Sequence, residues 1–440
     1  MMKNDQEIVL FWFRRDLRLN DNAGLTHALR SGYPVLPVFI FDDHILKDLP
    51  DPYDLRVDFI HTLLRDLYTK LSKSGFSLRI EHGDPVNIFK LLCSDYNIKA
   101  VYTNSDYEPF AIKRDRDVSD YLKNRGIPLY QYKDQVIFEK DEILKKDGTP
   151  YMVYTPYKNR WKKEWIQKKL FGQRYDTDHL FFNFAKTSPL PFPELEQIGF
   201  KSTETAFSRA EIPVDIIRHY HTTRDFPAIQ GTSGLGPHLR FGSLSIRHAM
   251  HQGFQLNEIW FDELIWREFY MMILYHYPRV ESQSFRRKYE SLEWNNNIKE
   301  YETWCRGETG FPIVDAGMRE LNETGYMHNR VRMIAASFLS KTLLIDWRWG
   351  ERYFAEKLLD YDLAANNGNW QWAAGTGCDA APYFRIFNPI TQMRKYDKNL
   401  DYVKRWIGEY GTPHYPHPMV DLRLCRERTL LVYQKALQDN

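Results

Sequence analysis

A chain of 440 residues exceeds what one hydrophobic core usually serves, so two domains are expected. Lysine and arginine nearly balance aspartate and glutamate, leaving a formal net charge of +2, so bulk charge announces no nucleic-acid partner and any basic groove has to be local. Four cysteines (Cys93, Cys305, Cys378, Cys425) without CxxC spacing indicate neither a zinc site nor a disulfide framework and read as reduced thiols.

No apolar run approaches the ~18 residues of a membrane span, and MMKNDQEIVLFW lacks signal-peptide architecture, so a cytoplasmic protein is expected. From Ile8 short apolar runs alternate with amphipathic segments at the pitch of a parallel α/β sheet. The expected strands are Ile8 to Phe13, Val35 to Asp42, Ser77 to Glu81, Ala100 to Asn104 and Pro128 to Tyr132. Between them Asp54 to Ser74 is helical, with Leu55, Phe59, Leu63, Leu64, Leu67 and Leu71 at helical spacing. Together these make a doubly wound α/β domain. It has neither GxGxxG nor GxxxxGK[ST], so it declares no phosphate ligand of its own. The cluster FRRDLRLNDN (Phe13 to Asn22), read by residue alone, is a solvated loop with ion pairs.

The β/α rhythm is lost over residues 135–205, read as a linker, with KTSPLPFPE (Lys186 to Glu194) its most proline-rich part. Within it YKNRWKKEWIQKK surrounds Trp161 and Trp165 with Lys158, Arg160, Lys162, Lys163, Lys168 and Lys169. That could follow a phosphate backbone, but a solvated amphipathic helix explains the pattern as well and is the preferred reading. From residue 206 onward the periodicity is helical, giving a second, larger, all-α domain. Helices are expected over Ser245 to Gln252, Glu258 to Tyr277, Asp315 to Glu323, Asn329 to Leu344, Glu351 to Leu359 and Thr429 to Gln438. Nine of the twelve tryptophans lie from Trp260 onward, so this half uses indoles.

Four stretches carry chemistry. RDFPAIQGTSGLGPHLRFGSLS punctuates Thr232 and Ser233 with Gly231, Gly234 and Gly236, a turn whose backbone N–H groups and following helix start suit an anion, although plain Gly-Ser connectors look alike. WFDELIWREFY puts Glu263 and Trp266 three apart, an acid and an indole fit for a planar ligand, while Glu263 and Arg267 suit a surface i,i+4 pair. MHNRVRMIAASFL places Asn329 and Met333 one turn apart on one face. Asp360 to Pro389, DYDLAANNGNWQWAAGTGCDAAPYFRIFNP, holds three acids, four Asn and two Trp, too polar and aromatic for ordinary core, and reads as a cofactor site.

Taken together, seven ordered motifs, from FWFRRDLRLNDN through GTSGLGPHLRFGSLS, ELIWREF, FPIVDAGMRELNETGYMHNRVRMIAASFL and LLIDWRWGERYF to DLAANNGNWQW and DAAPYFRIFNP, resemble the photolyase/cryptochrome flavoproteins. The likeness is greatest to the bacterial class I photolyases that repair cyclobutane pyrimidine dimers. It spans nearly the whole chain and implies an α/β antenna domain (1–134) and a helical FAD-binding catalytic domain (206–440).

What the resemblance implies is light-driven DNA repair, in which reduced FAD passes an electron to a pyrimidine dimer and recovers it after ring splitting. The flavin phosphates would be gripped by Tyr220 and the turn Thr232, Ser233, Gly234, Leu235 and Gly236, with Trp260 and Arg267 lining the cofactor. Arg332 and Asp360 would pair beside the isoalloxazine, Asp362 would reach the flavin or ribose edge, and Asn366 would set an amide against N5, tuning its redox states. The lesion pocket carries over onto Glu263, Trp266, Asn329, Met333 and Trp372, where the flipped-out bases would sit. Trp370, Trp347 and Trp294 match the photoreduction chain from the flavin outward. DNA phosphates would meet Arg224, Arg330, Arg385 and Gln392, contacts that position the duplex without reading sequence. The partner is then UV-damaged DNA of any sequence, met by a monomer associated with the nucleoid.

Two departures bear on ligands. Tyr326 stands where the family commonly has Trp. The folate antenna's amide and acid are Phe110 and Ala111 here, and NSDYEPF, with Asp106 as the ligand, resembles deazaflavin-binding members, so deazaflavin or a second flavin is favoured over folate. The alternative to repair is a cryptochrome photoreceptor signalling through flavin photoreduction. The retained lesion pocket, and a chain that stops about fifty residues after FRIFNP, speak for repair.

Overall fold

The computed structural model describes residues 4–187 and 189–438; Ser188, in the proline-rich stretch, lies outside the described residues, as do residues 1–3 and 439–440. The strands are β1 (Asn4–Phe13), β2 (Val35–Asp42), β3 (Arg79–Gly83), β4 (Tyr96–Asn104) and β5 (Leu129–Tyr132). They form one parallel sheet in the order β3-β2-β1-β4-β5. All eight residues of β2 are buried, as expected for a central strand covered on both faces. The crossover helix Leu55–Lys73 starts at Asp54, whose carboxylate caps the Arg56 and Val57 N–H groups, and turns Phe59, Leu64, Leu67 and Leu71 into the core. β4 begins four residues earlier than its apolar run, because Tyr96, Asn97 and Ile98 pair with Asn4, Glu7 and Ile8 at the start of β1.

FRRDLRLNDN is not a solvated loop. Asp16, Arg18 and Asn22 are buried, and the arginines are consumed by specific acids. Arg14 pairs with Asp115, Arg15 with Asp106 at 3.2 Å and Glu108 at 2.9 Å, and Arg18 with Asp134 at 2.6 Å. Buried charges are tolerated when paired and hydrogen-bonded, which the loop's alternating signs allow. The lysine-rich stretch is the helix Tyr154–Gln167 with its indoles turned inward: Trp161 donates to Glu268 at 2.6 Å, and Lys158 pairs with Asp262 at 2.8 Å.

The chain divides into two compact units. One contains residues up to 142, 164–212 and 235–254, and includes the sheet; the other contains 143–163, 213–234 and everything from 255 onward. The second is helical, and a single core holds Trp304, Val331, Leu339, Trp347, Phe354 and Trp370. The helix expected over Asn329 to Leu344 is α-helical only over Asn329–Ser337, then widens into a π turn at Phe338–Thr342. Lys341 lies in that turn, fully buried, with its ammonium donating to the Arg385 carbonyl at 3.2 Å, and burial lowers its pKa to about 7.

The helix Leu363–Ala374, from the polar stretch noted above, begins at an Asp362 cap and ends at Gly375, whose φ of +87° only glycine adopts readily. Gly368 lets it approach the helix Glu258–His276 closely, since a Cβ there would stand 2.2 Å from the Tyr270 ring. Part of its polarity is structural. Asn367 and Gln371 both donate to the Val280 carbonyl, and Gln371 accepts from the Phe285 N–H.

Candidate active site

One cavity of about 580 Å³, its open mouth included, is lined by Asn329, Arg332, Met333, Asp360, Asp362, Asn366, Trp370 and Trp372 among others. Three helices contribute: Asn329–Ser337, Leu363–Ala374, and Trp347–Lys357 through Phe354. Asn329 and Met333 share a face because they are one helical turn apart. Arg332 spans the wall, with both guanidinium nitrogens on Asp360 at 2.9 and 3.1 Å and its Nε on the Met327 carbonyl at 2.7 Å. A planar fork matched to a carboxylate fixes both side chains.

Asn366 donates both amide hydrogens to Glu351, to the main-chain carbonyl at 3.0 Å and to Oε1 at 2.9 Å. That orientation leaves the amide oxygen as the acceptor offered to the cavity. Glu351 was not singled out from sequence, although it stands one turn after Trp347 in WRWGERYF. Burial pushes its carboxyl up to about 7 against the opposing hydrogen bond from Asn366. An acid with a raised folded pKa holds its proton in the native state and not in the unfolded chain between about pH 4.5 and 7. Stability is therefore expected to fall as pH rises through that window, by at most about 3 kcal/mol. Glu351→Gln should flatten the dependence, read as the difference in urea midpoint between pH 5 and pH 8. An equally steep difference in the variant would place its origin elsewhere.

The remaining predicted residues form a second cluster on and around the helix Glu258–His276. Glu263 and Trp266 do not line the cavity described above. Trp266 stacks on Tyr154 at 3.5 Å and, less closely, on Tyr270 at 5.5 Å. Tyr154, more than a hundred residues earlier in the chain, carried no sequence signal as an aromatic partner. Glu263 takes a close ion pair from Arg224, a partner that spacing along its own helix could not name. Burial raises the Glu263 pKa and Arg224 opposes the shift. The next residue, Asp225, pairs with Arg330 at 2.6 Å, so one dipeptide ties two helices by charges of opposite sense. Tyr220 lies under the Arg224 guanidinium at 5.7 Å, and Arg267 is half-buried on the Trp266 helix.

In the glycine turn, Trp260 Nε1 donates to Ser233 Oγ at 3.4 Å and Thr232 Oγ1 meets the Tyr326 hydroxyl at 3.1 Å. Gly234 is exposed with φ +65°, and Gly231 sits where a Cβ would be 2.7 Å from the Thr223 carbonyl. Leu235 and Gly236 pass into a helix of only five residues, Gly236–Arg240, so hydroxyls and turn N–H groups, not a long helix end, are what this turn offers an anion.

Trp370 and Trp347 are buried in the common core, and Trp294 is half-buried against it, next to Tyr433. Trp304, also missed, meets Trp370 edge-on at 6.1 Å. Arg385 is exposed beside Phe384, which shows 58% of its surface, and Gln392 is half-buried on the helix Pro389–Tyr396. Arg224 and Arg330 already hold acids, so a phosphate would have to compete for them. In the sheet unit, Phe110 is exposed and Ala111 buried at the start of the helix Pro109–Lys123. Asp106 is buried, and Arg15 and Arg14 overcome that burial to hold its carboxyl well below the usual range.

The donor set suits a flavin nucleotide: flat indole walls, an amide acceptor, a fixed guanidinium–carboxylate pair and a turn of oriented hydroxyls. Fold and site together define a two-part chain with a parallel α/β domain and a helical nucleotide-cofactor domain. The family model described as FAD binding domain of DNA photolyase matches residues 260–412, and that described as DNA photolyase matches residues 9–173. The deoxyribodipyrimidine photo-lyase of Synechococcus sp. is 37% identical, over 97% of this chain and 96% of that protein. A bacterial class III photolyase from Agrobacterium tumefaciens superposes with a TM-score of 0.85 at 31% identity, covering 99% of both chains. An archaeal photolyase from Sulfolobus tokodaii, solved with two FAD molecules, gives 0.83 at 33% identity over 98% of this chain and all of the other. The chain belongs to the photolyase/cryptochrome family. It is an enzyme of the photo-lyase kind, a flavoprotein whose helical unit contains the FAD-binding domain. Among the described residues no helix is long and apolar enough to cross a membrane.

Proposed function

We propose that the protein repairs cyclobutane pyrimidine dimers in DNA under blue or near-UV light, by electron transfer from reduced FAD. The observation that supports this reading is the shared cavity: Asn329, Met333 and Trp372, three of the five residues expected at the lesion, line the same cavity as Arg332, Asp360 and Asn366, expected at the flavin. Bound FAD would supply light absorption and a transferable electron, chemistry no side chain has. Trp372 offers a flat wall and Asn329 an amide to a base that has left the stack, while Met333 adapts its thioether to the base's shape. Glu263, its pKa raised by burial and restrained by Arg224, is placed to regain a proton when that arginine turns to a phosphate. A protonated Glu263 would then donate to a base carbonyl whose negative charge grows during splitting.

Phosphate contacts from Arg224, Arg330, Arg385 and Gln392 would position the duplex without reading sequence, as repair at any site requires. The same reading makes the protein a cytoplasmic monomer that meets UV-damaged DNA in the nucleoid. For a second chromophore, Phe110 and Ala111 lack the polar groups a folate would need, which supports deazaflavin or a second flavin in the sheet unit.

The test is loss of thymine dimer from an oligonucleotide illuminated with blue light after chemical reduction of the purified protein. Light-dependent loss is expected from the unsubstituted chain, with Trp372→Ala about five- to 150-fold slower, since base stacking on an aromatic ring contributes about 1 to 3 kcal/mol. Flavin photoreduction without any dimer loss would sink the repair reading and favour a cryptochrome photoreceptor.

A further inference from the structure

We infer that the Tyr326 hydroxyl is a positioning group for the glycine turn, aiming the Thr232 hydroxyl proton at an anionic oxygen of the bound dinucleotide. The inference rests on the reading of this turn as the phosphate grip. Its basis is the direction of two hydrogen bonds. An indole N–H can only donate, so Ser233 Oγ must accept from Trp260 and keeps its own proton free. Thr232 Oγ1 and the Tyr326 hydroxyl, 3.1 Å apart, can donate either way. An arriving anion selects one direction: Tyr326 donates to Thr232, and Thr232 donates onward. Both hydroxyls of the turn then present protons on the strength of an aromatic donor behind each.

Tyr326 is held independently of the turn it would serve. It follows Gly325, the left-handed cap of the helix Pro312–Thr324, and its N–H donates to Thr324 Oγ1 at 3.1 Å. The Gly325 carbonyl accepts from the Leu359 N–H at 2.9 Å, which joins this corner to the residue before Asp360. The Arg332 guanidinium, already forked onto Asp360, stands 5.7 Å from the centre of the Tyr326 ring. The wall of the cavity and the glycine turn are thus linked through one phenol, and a tryptophan at 326 would lack that hydroxyl.

The experiment uses the full chain stripped of flavin and titrated with FAD and with riboflavin, which has no phosphates, following quenching of flavin fluorescence. Tyr326→Phe should weaken FAD binding about fivefold, the worth of one neutral hydrogen bond, and leave riboflavin binding unchanged. Thr232→Val should weaken FAD similarly, Thr232→Ser should not, and the Thr232→Val/Tyr326→Phe pair should be no weaker than Thr232→Val alone. An FAD affinity unchanged in Tyr326→Phe would overturn the inference, as would an equal loss for FAD and riboflavin, which marks a general packing defect. If the unsubstituted chain takes up riboflavin and FAD equally well, the phosphate reading of the turn itself falls, and the inference with it.

Discussion

Replacing Arg332 with alanine is expected to lower stability by about 2 to 4 kcal/mol and to leave the purified protein largely without flavin. Arg332 neutralises Asp360 through a two-point contact and also holds the Met327 carbonyl. Its removal leaves a carboxylate in a cavity wall with no cation opposite it. The range lies below that of a fully enclosed pair because both side chains keep some surface in solvent. Arg332→Lys should recover only part of the loss, since an ammonium cannot fork onto both carboxylate oxygens with the same geometry. Urea unfolding and the ratio of flavin to protein absorbance measure the two effects separately. Arg332→Ala with full flavin content and an unchanged urea midpoint would show that the pair is ornamental to the site.

Gly350→Ala should damage the core of the helical unit through a single added methyl group. A Cβ at this position would stand 2.2 Å from Trp370 Cη2 and 2.5 Å from Leu339 Cδ2, both in the core. In an exposed helix the same change would gain close to 1 kcal/mol from propensity. Here the clash wins, because an indole packed between Trp304 and Phe354 cannot swing aside without opening the core. Overpacking is expected to cost about 1 to 3 kcal/mol net. The indole that yields is also a wall of the cavity, so photoreduction of the flavin by an external donor should slow with it. A variant that melts higher than its parent and photoreduces normally would mean that the ring moves freely, contrary to its packing.

Much of the fold was legible because its determinants are local. Short apolar runs placed all five strands, and the spacing of Phe59, Leu64, Leu67 and Leu71 delimited a helix to within a residue. Failures came where a side chain's partner is remote. FRRDLRLNDN reads as solvated until Asp106, Asp115 and Asp134, roughly a hundred residues on, are seen to take its arginines. The π turn at Phe338–Thr342 follows an ordinary helical pattern and is invisible to periodicity. Polarity in the stretch from Asp360 to Pro389 signals a site, yet composition could not divide Asn366, which lines the cavity, from Asn367, which serves the Val280 carbonyl.

What the sequence by itself determined is the class of structure and the kinds of group available: a parallel α/β domain, a helical domain rich in indoles, and motifs that identify a flavoprotein family. Only the tertiary structure decided the pairings. Arg224 lies on Glu263, Asp225 on Arg330, Glu351 behind Asn366, and Tyr326 behind Thr232. The physical reason is range. Propensity and periodicity act over a few residues, whereas a carboxyl's protonation and a hydroxyl's direction depend on whichever groups folding brings within about 3 Å, at any distance along the chain.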